Sequence, residues 1–318
     1  MKAVFEFNLG LISKYRSELM GVATIGILMC HAQSYDVNLP FHLDSVLAFG
    51  QIGVVLFFFL SGIGSYYSTR KINNMPKDIL TWYRKRFVRL LIPYILVYGA
   101  YLLISDLSWP QRFYYLSTIS YWFGDGGAWF ICMLLPIYLI TPLWNLLLEK
   151  VKYPIIPTIA IMAIMMLVKS SLSGAFNQAS LFFAGFWLAR YVKRELTLPS
   201  KWMVIIVSIV ISLLALYYIC GIGYLIFILF VPALLLFCKI IDVFKNTFVN
   251  KMLSFFGGIS LESYLFNTTL IAWIDRFHLL PGALYVYRYA FIVVFGIFIS
   301  WLINRLCQPI ISKLSNKL

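Results

Sequence analysis

Apolar stretches close to twenty residues long recur along this 318-residue chain, and short segments rich in lysine and arginine separate them. One of them, GQIGVVLFFFLSGIGSYYS at residues 50–68, carries no charged side chain at all. That length matches the roughly 20 apolar residues a helix needs to cross a bilayer. Inside lipid every backbone N–H and C=O must find its partner within the structure, and long apolar runs meet that demand as α-helices. Composition agrees: 62% of the residues are hydrophobic and 12% are charged, where a soluble domain carries about 25% charged residues. So few charges cannot cover a water-facing surface. The chain reads as an all-α polytopic membrane protein.

Scanning for such runs predicts about ten transmembrane helices, near 17–35, 46–68, 87–105, 127–148, 154–171, 177–192, 202–219, 222–239, 257–275 and 286–306. Basic residues test this count, because Lys and Arg collect on the cytoplasmic side of membrane proteins. With ten spans and both the N- and C-termini cytoplasmic, 22 of the 26 basic residues fall on the inner side. Only Arg112, Lys169, Arg276 and Arg288 fall outside. Merging two spans would reverse every later loop and spoil the pattern. Residues 1–13 read as an amphipathic lead-in on the inner surface, without the features of a cleavable signal peptide. No linker or soluble domain interrupts 1–318, so the expectation is one integral-membrane domain, multi-pass in a bacterial cytoplasmic membrane.

The formal charge of +14 does not point to nucleic acid. Its basic residues lie between apolar runs, where they set topology and meet anionic lipid headgroups. The largest inner loop, about 69–86, leads into RKRFVRLLIPY with Arg84, Lys85, Arg86 and Arg89 ahead of Pro93. It serves either as a topological anchor or as a cytoplasmic rim for phosphate, with which arginine pairs well. The five cysteines are scattered and show neither metal-ligand spacing nor a disulfide framework. The outer segments differ in character: they carry Asp36, Asp44, Asp106, Asp125 and Asp275 beside Tyr35, Trp109, Tyr121 and Trp122. Aromatic faces with acidic partners suit carbohydrate, although Tyr and Trp also favour every membrane interface.

Few residues could do chemistry. Of the three histidines, His42 and His278 fall in predicted outer loops, and His31 alone falls within a span. Fifteen residues separate it from Arg16, roughly 22 Å along a helix, which places Arg16 at the inner surface and His31 in the outer half. An ionisable group at that depth is costly and tends to be functional. In the second span Gly50, Gly53, Gly62 and Gly64 permit close helix approach, and Ser61 and Ser68 either face a site or bond back to their own helix. Around the fourth span Asp125 and Trp129 stand at the outer helix entrance, Asp125 either as an N-cap or as a contact for the acceptor or His31. In FFGGISLESYLFN, residues 255–267, Glu262 needs a partner such as Arg86 or Arg89, and Ser260, Ser263, Tyr264 and Asn267 add polar groups.

These segments together resemble the integral-membrane acyltransferases of acyltransferase family three, which O-acylate cell-envelope carbohydrates. The resemblance runs through LMGVATIGILMCH, GVVLFFFLSG, RKRFVRLLIPY, AWFICMLLPIYLITP, LFFAGFWLARY and GGISLESYL, in that order. It implies a ten-helix core that takes an acyl group from acyl-CoA on the cytoplasmic side and passes it to a hydroxyl on the outer side. The essential first-helix histidine of the family matches His31. Two positions depart from the pattern. The arginine usual eleven residues before the histidine is Met20 here, with Arg16 one turn away, and the late motif ends in Asn267 instead of histidine.

The resulting expectation is an O-acyltransferase, most simply an O-acetyltransferase. His31 acts either as general base or as a transient acyl carrier. Arg16, Arg84, Arg86 and Arg89 hold the donor phosphates, while Ser61, Asp125, Trp129 and Glu262 position substrate. Acyl-CoA is a donor substrate, with no permanently bound cofactor and no metal. The partners are an envelope polysaccharide, peptidoglycan or glycolipid acceptor and the membrane lipids. A transporter or flippase of a small polar solute or glycolipid would share the apolar spans and basic loops, though it calls for a paired repeat that is not evident. A scaffold with decayed catalytic residues is the third reading.

Overall fold

The computed structural model describes residues 7–31, 49–73, 76–168, 172–199, single positions between 201 and 212, 225–244, 247–278 and 285–315. Helix dominates among them. The chain enters through a two-residue strand, β1 (Phe7–Asn8), followed by α1 (Gly10–Lys14) and α2 (Arg16–His31). A 3₁₀ turn at Phe49–Gln51 leads into α3 (Ile52–Thr69), and α4 (Lys77–Ile104) follows. Two short helices, α5 (Trp109–Leu116) and α6 (Ile119–Trp122), precede α7 (Trp129–Lys150) and α8 (Ile155–Leu167). Next come α9 (Ser173–Lys193), the strand β2 (Thr197–Leu198), α10 (Leu225–Phe244), α11 (Thr247–Gly258), α12 (Ser260–Arg276) and α13 (Tyr285–Ser315).

Among the described residues four helices are long and apolar enough to cross a membrane: α3, α4, α7, and α13 from Tyr289 onward. The 13-residue α8 is apolar but shorter. Each expected span coincides with a helix except that near 202–219, which lies almost wholly outside the described residues. Boundaries differ where polar sequence continues a helix. The third span was expected from 87, yet α4 begins at Lys77, because half of KDILTWYRKR is Lys, Arg and Leu, good helix formers whose charges a hydropathy window discounts.

Two compact units are present. One comprises Met1–Val22 with Leu188–Gly258. Its strands pair antiparallel, Phe7 opposite Leu198 and Asn8 opposite Thr197. Lys14 Nζ and Tyr15 Oη both donate to Asp242 Oδ1 at 2.8 Å, tying α1 to α10. The first half of α2 crosses α11 backbone to backbone: a Cβ at Gly21 would strike the Leu253 carbonyl, and one at Gly257 would strike that of Ser17.

The other unit comprises Ala23–Trp187 with Ile259–Leu318. Its centre is α3, with Val54 through Ile63 buried on all sides, as expected of a helix that is apolar all round. Glycine sets how closely its neighbours approach. A Cβ at Gly50 would meet the Gly26 carbonyl, and one at Gly53 that of Ala23, so the second half of α2 lies directly against the start of α3. The crossing of α3 with α9 is reciprocal, Gly62 against the Phe182 carbonyl and Gly185 against that of Phe59. Helices α4, α12 and α13 pack on one another, and α7 packs on both α3 and α4.

Candidate functional site

His31 is the last residue of α2, half-buried, and its ring faces α12. There Asn267 Nδ2 lies 2.6 Å from His31 Nδ1. Asn267 is 2% exposed, and its Oδ1 is buried without a hydrogen-bond partner. Spacing explains the meeting. Positions 260, 263, 264 and 267 share one face of α12, as 24, 27, 28 and 31 share one face of α2. Before the His31–Asn267 contact these two faces and Phe57 line a narrow cleft, with Thr24, Ile27, Leu28, Ser260, Ser263 and Tyr264 on its walls.

Both walls are anchored. Tyr289 Oη on α13 donates to the Leu28 carbonyl, three residues before His31. A helix C-terminus leaves its last carbonyls without intrahelical partners, so this bond satisfies one of them. On the other wall, Tyr264 Oη accepts the Phe130 backbone N–H at 3.4 Å, and the two rings meet at 5.3 Å. Phe130 in turn touches Phe57 and Phe58 of α3, and Trp129, the first residue of α7, packs on Phe58. Ser61 is buried one turn beyond Phe57 on the same face of α3.

Asp125 does not cap α7, whose N-cap position is Ala128. It sits in a turn where Gly124, Gly126 and Gly127 all take positive φ, and its Oδ2 accepts from Tyr114 Oη at 2.7 Å. The glycine-rich turn holds the carboxylate away from the helix start and gives it to the tyrosine. Ionising Tyr114 would remove that donor and set two negative charges together, so Asp125 pushes the phenol up to about 12. In Asp125→Asn the phenol should return toward its ordinary value near about 10. Phenolate absorbance titrations of the two proteins, subtracted, should show one tyrosine moving down.

Glu262 is 4% exposed on α12. Of the cations expected for it, Arg89 is within electrostatic reach, and a neutral donor is added: Asn304 Nδ2 on α13 donates to Oε1 at 3.0 Å. A buried carboxylate that loses its donor costs about 1–3 kcal/mol or more. Asn304→Leu should therefore lower the melting temperature in detergent, and adding Glu262→Leu should recover most of the loss.

The arginines of α4 do different things. Arg86 Nη2 donates to the Gly64 carbonyl at 2.8 Å and to Ser68 Oγ at 2.6 Å, and its guanidinium lies over the rings of Trp82 and Tyr138. It joins α4 to α3 and α7. Arg84 donates to the Leu314 carbonyl near the end of α13, and Arg89 is exposed. Arg16 opens the helix that His31 closes. His278 is exposed in a turn with φ of 49°, and His42 lies outside the described residues. Among the described residues no group of His, Cys, Asp and Glu could hold a metal ion.

The structure thus brings His31 to Asn267, and Glu262 to Asn304 and Arg89. Asn267, Asn304 and Tyr289 were not among the expected site residues. The polar face of α12 was the available signal for Asn267, whereas nothing in the sequence marks Asn304 or Tyr289. Chemically, a neutral imidazole whose held nitrogen carries the ring proton has the other to take a proton or attack a carbonyl.

Comparison with known families matches residues 19–305 to the acyltransferase domain of acyltransferase family 3. No curated protein and no solved structure matches the chain.

Proposed function

Because this chain belongs to acyltransferase family 3, we propose that it is a membrane O-acyltransferase, most simply an O-acetyltransferase. It takes the acyl group from cytoplasmic acyl-CoA and delivers it to a hydroxyl of an extracytoplasmic polysaccharide, peptidoglycan or glycolipid. In this reading the chain is a multi-pass protein of the cytoplasmic membrane, with ten spans and both termini inside. The observation that carries the assignment is the His31–Asn267 contact, a histidine at a helix end held at one ring nitrogen by a buried amide.

In the reaction His31 takes the proton of the acceptor hydroxyl as its oxygen attacks the thioester carbonyl. A C–O bond forms, the C–S bond breaks, and the imidazolium returns the proton to the departing thiolate. Positioned base catalysis of this kind contributes typically about 10²–10⁴-fold. Arg84 and Arg89 meet the donor phosphates, since guanidinium donors pair well with phosphate oxygens, and Arg16, in the other unit, is a separate candidate for the same role. Arg86 holds α4 in place through Nη2, which donates to Gly64 and Ser68, and its remaining N–H groups are candidates for the same phosphates. Glu262 stands on the same helix as Asn267 and orders the base of the site, while Ser61, Asp125 and Trp129 position the acceptor. Membrane lipids surround the apolar helices.

Purified protein incubated with radiolabelled acetyl-CoA and envelope glycan tests the proposal. Alkali-labile label on the glycan is expected. No transfer from any acyl donor, together with solute uptake by reconstituted vesicles, would assign the chain to transport instead.

A further inference from the structure

We infer that Asn267 is a positioning residue that sets the tautomer of His31, accepting from Nδ1–H through its carboxamide oxygen and leaving the lone pair on Nε2. The inference rests on the reading of His31 as the group that takes the proton.

A neutral imidazole carries one proton on one of its two nitrogens. Nδ1 is occupied, because the Asn267 amide lies 2.6 Å from it, so Nε2 is the nitrogen that meets substrate. To accept a proton, or to attack a carbonyl, Nε2 must hold a lone pair, and the ring proton must then sit on Nδ1. The two ends of a carboxamide are nearly equal in size, so the Asn267 amide fits in either of two orientations. They impose opposite tautomers on the ring.

With Nδ2 toward the ring, the amide N–H donates to Nδ1, Nε2 carries the proton, and His31 has nothing to offer an incoming hydroxyl. That orientation also leaves Oδ1 buried without a donor in a side chain 2% exposed, and a buried acceptor left unmade is costly. With Oδ1 toward the ring, Nδ1–H donates to the oxygen, Nε2 keeps its lone pair, and Nδ2 takes the position that Oδ1 held. The same logic governs catalytic histidines held from behind by an amide or carboxylate on unrelated folds.

The surroundings fix the pair in register. Tyr289 holds the Leu28 carbonyl one turn before His31, and the Phe130 N–H holds Tyr264 one turn before Asn267. The amide can rotate about its own bond, while these bonds tie α2 to α13 and α12 to α7.

Nitrogen-15 spectroscopy of the full chain in lipid bilayers tests this directly. With histidine ring label and the His42→Gln and His278→Gln substitutions, only His31 contributes. The expected spectrum has a directly bonded proton on Nδ1 and none on Nε2. A proton on Nε2 with bare Nδ1 would overturn the assignment, with or without enzymatic activity. In Asn267→Leu the ring should revert to the tautomer mixture of free imidazole, and kcat should fall about 10²-fold with KM little changed. Asn267→Asp, which can only accept when ionised, should keep both the Nδ1 proton and most of the activity. Loss of activity in Asn267→Asp equal to that in Asn267→Leu, with the Nδ1 proton retained, would show that Asn267 does not act through the tautomer. The expected spectrum in a wild-type protein that transfers no acyl group would leave the tautomer standing and sink the acyltransferase reading.

Discussion

His31→Ala is expected to lower the rate of acyl transfer by about 10²–10⁴-fold while leaving the protein folded. The rate falls because, among the described residues of the site, His31 is the one whose imidazole can take the acceptor's proton and return it to the leaving thiolate. The fold survives because His31 is the half-buried last residue of α2 and lies outside the buried apolar core. The helix before it is held independently, by Gly26 and Ala23 against α3 and by Tyr289 on the Leu28 carbonyl. Label transfer measured beside a melting curve in the same detergent checks both halves. Unchanged transfer with an unchanged melting curve would remove His31 from the reaction.

The second large effect is structural. Gly62→Leu should unfold the protein or lower its melting temperature by far more than Gly174→Leu. A Cβ at Gly62 would collide with the Phe182 carbonyl, and Gly185 faces the Phe59 carbonyl across the same crossing. Both obstacles are backbone, so no side chain can swing aside. Overpacking a core costs typically about 1–3 kcal/mol and occasionally more, and here two buried helices must separate. In lipid that separation also forfeits the close packing that small residues make possible. Gly174 is the control, since nothing lies within 4 Å of a Cβ built there. Equal melting temperatures for the two variants would mean that α3 and α9 do not meet as described.

Much of this was legible in the sequence. Long apolar runs marked α3, α4, α7 and α13, because lipid demands length and apolarity together. Helix ends were less legible, because they follow local propensity and packing as well as hydropathy. Thus α13 runs on to Ser315 past the expected end at 306, and the start of α12 is set by a break at Ile259. The glycines of the second span announced close approach but not its partners; the structure supplies Gly26, Ala23 and Phe182. His31 stood out as the one histidine inside an apolar run. Asn267 also drew notice, as the end of the late motif, but the pairing did not, since 236 residues separate the two and only the fold joins them. For Arg86 the sequence left two roles open, topological anchor and phosphate rim, and the structure adds contacts to Trp82, Tyr138, Gly64 and Ser68 that no basic cluster announces.

One measurement bears most directly on the proposed activity, because it asks for chemistry and sidedness together. Inverted membrane vesicles containing the protein, with envelope glycan sealed inside, receive labelled acetyl-CoA on their outer, formerly cytoplasmic face. Label on the enclosed glycan, lost in vesicles carrying His31→Ala, is the expected result. Label that reaches glycan only when donor and acceptor share one side of the membrane, or that persists in His31→Ala, would contradict transfer across the bilayer through His31.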